Sequence, residues 1–266
     1  MQTVAIAGLG AIGLQLARAL DRGVDGLRLV AVAARDQTRA VAEVAGFTHP
    51  PAVVSLAELA EADIVVEATP AALFDAVAGP AIAAGRIFVA CSVGALLSRM
   101  ALVDAARRTG ARIIAPTGAL LGLDAVRAAA EGHVASVSIE TRKPPKSLAG
   151  APYLTEHGID LDAITEPTLI FEGNAYEAAA GFPANVNVAA ALALAGVGWE
   201  RTGVRLWADP TISRNMHTVR VDSDAARLTM TVENVPSESN PRTGKLTALS
   251  VLACLRGLTS PLKVGS

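Results

Sequence analysis

The chain opens on Met1-Gln-Thr-Val-Ala-Ile-Ala-Gly8-Leu-Gly10-Ala11-Ile12-Gly13-Leu-Gln15, the stretch that decides the fold. Val4 to Ala7 is the apolar run of a buried strand, and Leu14 to Leu20 continues with helical periodicity. Between them Gly8, Gly10 and Gly13 fall in G-x-G-x-x-G spacing. Gly8 permits a tight turn, Gly10 lets the backbone approach a pyrophosphate, and Gly13 lets the helix pack on the strand. The unpaired N–H groups at the helix start, at Ala11 and Ile12, then face the anion. Glycine-rich turns also arise for purely structural reasons. The strand–turn–helix context is what makes this one a dinucleotide-binding expectation.

Outward from the loop, residues 1–110 alternate apolar runs with helical segments. Strands are expected at Thr3–Ala7, Leu27–Ala33, Ile64–Glu67, Ile87–Ala90 and Ile113–Ala115. Helices are expected near Leu14–Arg22, Thr38–Gly46, Leu56–Leu59, Leu73–Ala84 and Ser98–Thr109. Such alternation implies right-handed βαβ units and a parallel sheet. Ligands of such sheets bind beyond the carboxyl ends of the strands, which directs attention to Ala68–Pro70, Cys91–Gly94 (with Ser92) and Pro116–Ala119.

After about Leu123 the texture changes. Val134–Arg142, Leu169–Glu172, Val204–Ala208, Met216–Val221 and Ala226–Glu233 alternate as half-buried strands, with one alanine-rich helix at Asn185–Val197. Lys245–Arg256 reads as an amphipathic helix returning to the first domain. The expected architecture is α/β: a Rossmann dinucleotide-binding domain at 1–120 with a closing helix at 243–258. An α+β domain with a mainly antiparallel sheet fills 121–242.

Bulk composition excludes several function classes. Among 266 residues, 23 basic and 25 acidic side chains give a net charge of −2, which argues against nucleic-acid or polybasic membrane binding. The 52% apolar content argues against disorder, and the longest apolar stretch, Val186 to Val197, is too short to span a bilayer. Two cysteines, Cys91 and Cys254, make no disulfide framework and no metal-ligand pattern, so no metal is expected. A soluble, cytoplasmic protein without a signal peptide is the expectation.

In the glycine fingerprint the end of the second strand selects the nucleotide. An acidic residue there bonds the ribose 2′-hydroxyl of NAD, but this chain reads Ala33-Ala34-Arg35-Asp36. Without a carboxylate, and with a guanidinium able to pair with a 2′-phosphate, NADP is expected as well as NAD. The structural alternative leaves Arg35 as a solvated loop residue and Asp36 as the ribose partner.

A dehydrogenase needs a proton acceptor beside the carbon that exchanges hydride. Of four histidines, His49, His133 and His157 sit in loops or at a helix end and read as surface residues. His217 begins an alternating strand after a polar turn and is the catalytic candidate, against a satisfied structural histidine. Asn185 reads as a helix N-cap, and either Asn185 or Asn187 as a contact to the nicotinamide carboxamide or ribose. Thr141-Arg142-Lys143-Pro144-Pro145-Lys146 is a solvated charge run by default and a carboxylate-binding element in its functional reading. Asn240-Pro241-Arg242-Thr243-Gly244 is a turn whose N–H groups suit an anion.

Taken in order, Gly8–Gly13, Ser92-Val-Gly-Ala-Leu96, Pro116-Thr-Gly-Ala-Leu-Leu-Gly-Leu-Asp124, Thr141-Arg-Lys-Pro-Pro145, Phe182-Pro-Ala-Asn-Val-Asn-Val-Ala-Ala190, Asn215-Met-His217 and Ser239-Asn-Pro-Arg-Thr-Gly244 resemble the L-aspartate dehydrogenase family over essentially the whole chain. The resemblance implies that His217 is the catalytic histidine, that Ala119 contacts the dinucleotide, and that Asn185, rather than Asn187, is the family's asparagine. The fingerprint and the strand ends give Gly8, Gly10, Ala11, Ile12, Gly13, Ala68 and Ser92 as further cofactor contacts, and Arg35 is a contact at the point where Ala33-Ala34-Arg35 departs from the acidic residue that some family members carry after the second strand. Lys143, Asn187, Arg242 and Thr243 are candidates for holding substrate carboxylates. The implied reaction is reversible oxidative deamination of L-aspartate to oxaloacetate and ammonia through iminosuccinate, which in the family can feed NAD biosynthesis. Homodimers or larger homo-oligomers are expected. Rival readings are a reductase of dihydrodipicolinate or homoserine type, and a dinucleotide sensor without turnover.

Overall fold

The computed structural model describes residues 1–183, 185–237 and 244–265. The chain forms two compact units, Met1–Gly118 with Thr247–Val264, and Ala119–Leu246.

The first unit carries six strands: β1 (Gln2–Ala7), β2 (Leu27–Ala33), β3 (Ala52–Val53), β4 (Ile64–Glu67), β5 (Ile87–Ala90) and β6 (Arg112–Ile114). They form one parallel sheet in the order β3-β2-β1-β4-β5-β6. Chain direction away from β1 reverses between β1 and β4, the switch point at which doubly wound sheets bind nucleotides. The helices are α1 (Ala11–Asp21), α2 (Gln37–Val44), α3 (Phe74–Ala83), α4 (Val93–Leu97) and α5 (Ala101–Thr109). All five expected strands appear within one residue of their expected bounds, and the two-residue β3 is an addition. The helix expected over Ser98–Thr109 appears as α5, starting three residues later, α4 is an additional short helix just before it, and Leu56–Leu59 gives way to a 3-10 turn at Glu58–Glu61.

The sheet is covered because its strands are apolar on both faces. Val4, Ile6, Ile64, Val66 and Val89 are fully buried against Leu16, Ala17 and Leu20 of α1. Val251 and Leu255 of the last helix join the same core. Thr259 Oγ1 donates to the Asp25 carbonyl at 2.7 Å, fixing that helix at the turn before β2.

The second unit holds α6 (Leu123–Ala130), β7 (Val134–Lys143), α7 (Pro152–Glu156), β8 (Thr168–Asn174), α8 (Ala175–Gly181), α9 (Asn187–Ala195), β9 (Thr202–Ala208), β10 (Asn215–Ser223) and β11 (Arg227–Asn234). The last helix, α10 (Lys245–Thr259), begins here and ends in the first unit. The sheet runs β11-β10-β7-β9-β8, antiparallel except for the parallel β7–β9 pair. Alternation therefore separates two faces. Val137, Ile139, Val204, Leu206, Ala208, Val219 and Val221 are buried on one. On the other, Trp207 lies between the guanidinium groups of Arg142 and Arg205, 4.9 and 5.6 Å from its ring centre. α7 falls in a stretch read from the sequence as a loop, and α6 and α8 are not among the named expected helices, although His133 is read as lying at a helix end. α8 is fixed by a capping box between Asn174 and Glu177.

Candidate functional site

The dinucleotide end of the first unit is built from absent side chains. Gly8 has φ +91°, and a Cβ there would lie 2.5 Å from the Ala68 carbonyl oxygen. Its bareness is what lets the β1 and β4 strand ends close on each other. A Cβ on Gly13 would lie 1.8 Å from the Gly8 carbonyl oxygen, so α1 packs directly on the turn. Gly10 differs: a Cβ there meets nothing within 4 Å. Gly10 is the N-cap of α1 and no side chain caps the helix, leaving the first N–H groups, at Ala11 and Ile12, for an anion. The residues thus fit a bound pyrophosphate.

Beyond β2 the acid-free strand end is confirmed in three dimensions, and Asp36 is already employed. Its carboxylate accepts the Arg39 amide at 2.9 Å as the N-cap of α2. Arg35 beside it is exposed.

Glu67 is one residue that sequence reading missed. It closes an apolar strand, and only its full burial reveals a role. Its carboxylate accepts from Thr69 N (2.8 Å) and Thr69 Oγ1 (2.9 Å), and from Ser92 N (2.9 Å) and Ser92 Oγ (3.0 Å). Ser92, read as a cofactor contact, thus spends its amide and hydroxyl on tying the β5 strand end to the β4 strand end. A buried donor left unpaired costs about 1–3 kcal/mol. Glu67→Ala is therefore expected to lower Tm by roughly 5–10 °C in a thermal melt. An unchanged Tm would show that the carboxylate does not organise these turns.

In the second unit the chemistry gathers at one end of the buried sheet face. His217 lies directly opposite Thr141 in the β10–β7 pair, so both side chains share that face. Thr141 Oγ1 and His217 Nδ1 are 2.9 Å apart, and the ring is only 3% exposed. Two residues further along β7, Lys143 points the same way and is 6% exposed. Its ammonium donates to Asn185 Oδ1 at 2.8 Å. Burial lowers the Lys143 pKa to about 8. Burial first, and the Lys143 charge second, push His217 down to about 3. The imidazole is neutral at working pH, as a proton acceptor must be.

Two expectations are corrected here. The cationic stretch at Thr141–Lys146 is not a solvated run: strand alternation buries Lys143 and turns Arg142 outward, where it pairs with Glu140 (3.0 Å) and Asp209 (3.3 Å). Asn185 does not open the helix. α9 starts at Asn187 with Val186 as its N-cap, and Asn185 is held in the preceding turn by Lys143.

Asn187 is exposed at the start of α9. Ala119 follows Gly118 (φ +67°), and its carbonyl accepts Asn234 Nδ2 at 3.0 Å. Asn234, unnoticed in the sequence, closes β11 on the same face as His217, and its Oδ1 is buried without a partner among the described residues. Arg242 and Thr243 lie outside the described residues. His49, His133 and His157 are exposed, as expected.

Comparison with known proteins follows this division. Residues 124–258 match the family model for aspartate dehydrogenase, C-terminal, and residues 8–116 that for the homoserine dehydrogenase NAD binding domain. The chain is 53% identical to an L-aspartate dehydrogenase of Bradyrhizobium diazoefficiens, over 99% of this chain and 94% of that one. It is 44% identical to one of Methanocella arvoryzae over the full length of both. Aspartate dehydrogenase from Thermotoga maritima superposes with a TM-score of 0.76 at 27% identity, covering 100% of each chain. Glycine cradle, mixed sheet and full-length similarity agree, and the chain belongs to the aspartate dehydrogenase family.

Proposed function

We infer that this chain is an NAD(P)-dependent L-aspartate dehydrogenase that converts L-aspartate to oxaloacetate and ammonia through iminosuccinate. The observation that carries the reading is the buried, neutral His217, oriented by Thr141 beside the ammonium of Lys143. The dinucleotide, when bound, supplies the acceptor for the substrate Cα hydride. Gly8, Gly10, Ala11, Ile12 and Gly13 hold its pyrophosphate, with Ala68 closing the turn. Ala119 and Asn185 are assigned to its nicotinamide half.

His217 acts as general base. That role uses the tautomer in which Nδ1–H donates to Thr141 Oγ1, leaving the Nε2 lone pair to take a proton from the substrate ammonium, and later from the water that hydrolyses the imine. Returning the proton serves the amination direction. Lys143 is assigned to one substrate carboxylate, because among the described residues it is a buried cation with an amide oxygen and no carboxylate as its hydrogen-bond partner. Arg242 and Thr243 remain assigned to the other by sequence alone.

Absorbance at 340 nm with L-aspartate and either cofactor tests the reading. Cofactor reduction with aspartate, and little with homoserine or other amino acids, supports it. Cofactor binding without turnover would favour a sensor.

Arg35 extends the reading to cofactor choice: both NAD and NADP are used, with Arg35 pairing with the 2′-phosphate. Arg35→Glu is expected to raise KM for NADP by about 10–100-fold, the worth of one or two hydrogen bonds to a charged group, and to leave KM for NAD nearly unchanged. Equal effects on both would remove Arg35 from the site.

No described helix is long and apolar enough to cross a membrane. The two unpaired cysteines, Cys91 and Cys254, suit a reducing cytoplasm. A homo-oligomeric state is the corresponding proposal for assembly, checked by light scattering.

A further inference from the structure

Lys143 occupies an unusual place. Its ammonium is buried at one end of a face made mostly of valine, isoleucine, leucine and alanine. A buried cation is ordinarily matched by a buried carboxylate. Around it on the same face, β7 supplies Thr141, β9 Leu206 and Ala208, β10 His217, and β11 Val232 and Asn234. The charged groups adjoining this end among the described residues are Arg142 and Asp209, which pair with each other. Among the described residues Asn185 gives Lys143 one neutral acceptor, leaving two N–H donors for an anion. His217 is the diagonal neighbour of Lys143 across the strand pair, at about 7–8 Å between Cα atoms for that geometry. Over such a distance in a water-poor interior an uncompensated charge acts strongly on a neighbouring ring.

We propose that Lys143 couples recognition of the substrate to its chemistry: its ammonium binds a substrate carboxylate, and cancelling that positive charge makes it easier for His217 to accept the proton. This deepens, and rests on, the aspartate dehydrogenase reading with His217 as base. In the step concerned, one N–H bond of the substrate ammonium breaks, its electron pair stays on nitrogen, and the proton passes to His217 Nε2. Without a carboxylate on Lys143, proton transfer would place a second positive charge beside the first. An amine lacking that carboxylate is therefore rejected by reactivity as well as by affinity.

The direction of the pH dependence follows. Burial holds Lys143 near 8 in the free protein, so it is charged below that pH and loses its charge above it. The kcat/KM for aspartate therefore falls above pH 8 on Lys143's account, by about tenfold per unit. Lys143→Arg, whose charge persists, moves that limb to higher pH.

The decisive experiment follows the histidine rings by NMR in the full-length protein, with succinate as an unreactive dicarboxylate probe. Wild-type His217 is expected to stay neutral down to about pH 5 when free, and to titrate at least one unit higher with saturating succinate. In Lys143→Met the ring should titrate higher without succinate, succinate affinity should fall about 10–100-fold, and KM for aspartate should rise alike. Succinate that binds without moving the wild-type His217 titration overturns the coupling. Unchanged succinate affinity in a folded Lys143→Met overturns the carboxylate site. The wild-type arm decides even where that variant fails to fold. Absence of aspartate turnover in the wild-type protein would refute the dehydrogenase reading, separately from the succinate result.

Discussion

His217→Ala is expected to lower kcat for L-aspartate oxidation by about 100- to 10,000-fold, the range that general base catalysis supplies. The same factor should appear in kcat/KM, because the proton transfer belongs to the transition state rather than to binding. The ring is buried against Thr141, so truncation also opens a cavity. His217→Gln fills most of that volume and separates the two effects. Both variants should keep the pyrophosphate contacts of the cofactor, since the glycine cradle belongs to the other unit. Near wild-type turnover in a folded His217→Gln would assign the proton to another group.

The second large effect divides stability from binding within one loop. Gly13→Val places a side chain where even a Cβ lies 1.8 Å from the Gly8 carbonyl. Overpacking of this kind costs about 1–3 kcal/mol or more, so Tm should fall by several degrees and cofactor binding should be lost with the turn. Gly10→Val enters open space, with nothing within 4 Å of its Cβ. Tm should hold, while KM for the dinucleotide rises more than about tenfold because the pyrophosphate no longer reaches the backbone. A Gly10→Val enzyme with unchanged KM would show that the cofactor does not approach there.

The parallel half of the fold was legible because its signals are local. The strands Gln2–Ala7, Leu27–Ala33, Ile64–Glu67 and Ile87–Ala90 are short, mostly apolar runs bounded by turns, whereas the two-residue edge strand Ala52–Val53 is too short to carry a pattern. The helices α6, α7 and α8 were not legible. They are five to eight residues long, too short for periodicity to separate them from their surroundings. Asn185 shows the limit of local reading. An asparagine before an apolar run is a natural N-cap, yet the side chain is drawn off by Lys143, 42 residues away in sequence.

By itself, the sequence determined the dinucleotide fingerprint, the acid-free end of β2, the alternation that set His217 on a strand, and the order of motifs resembling aspartate dehydrogenases. Those are properties of neighbouring residues, and chain geometry transmits them directly. Only the tertiary structure decided which charges are in and which are out. Strand register set Thr141 opposite His217, turned Lys143 inward and Arg142 outward, and buried Glu67 as the knot between Thr69 and Ser92. The physical reason is that a charge takes its chemistry from burial and from partners distant in sequence, which pairing of strands alone brings together.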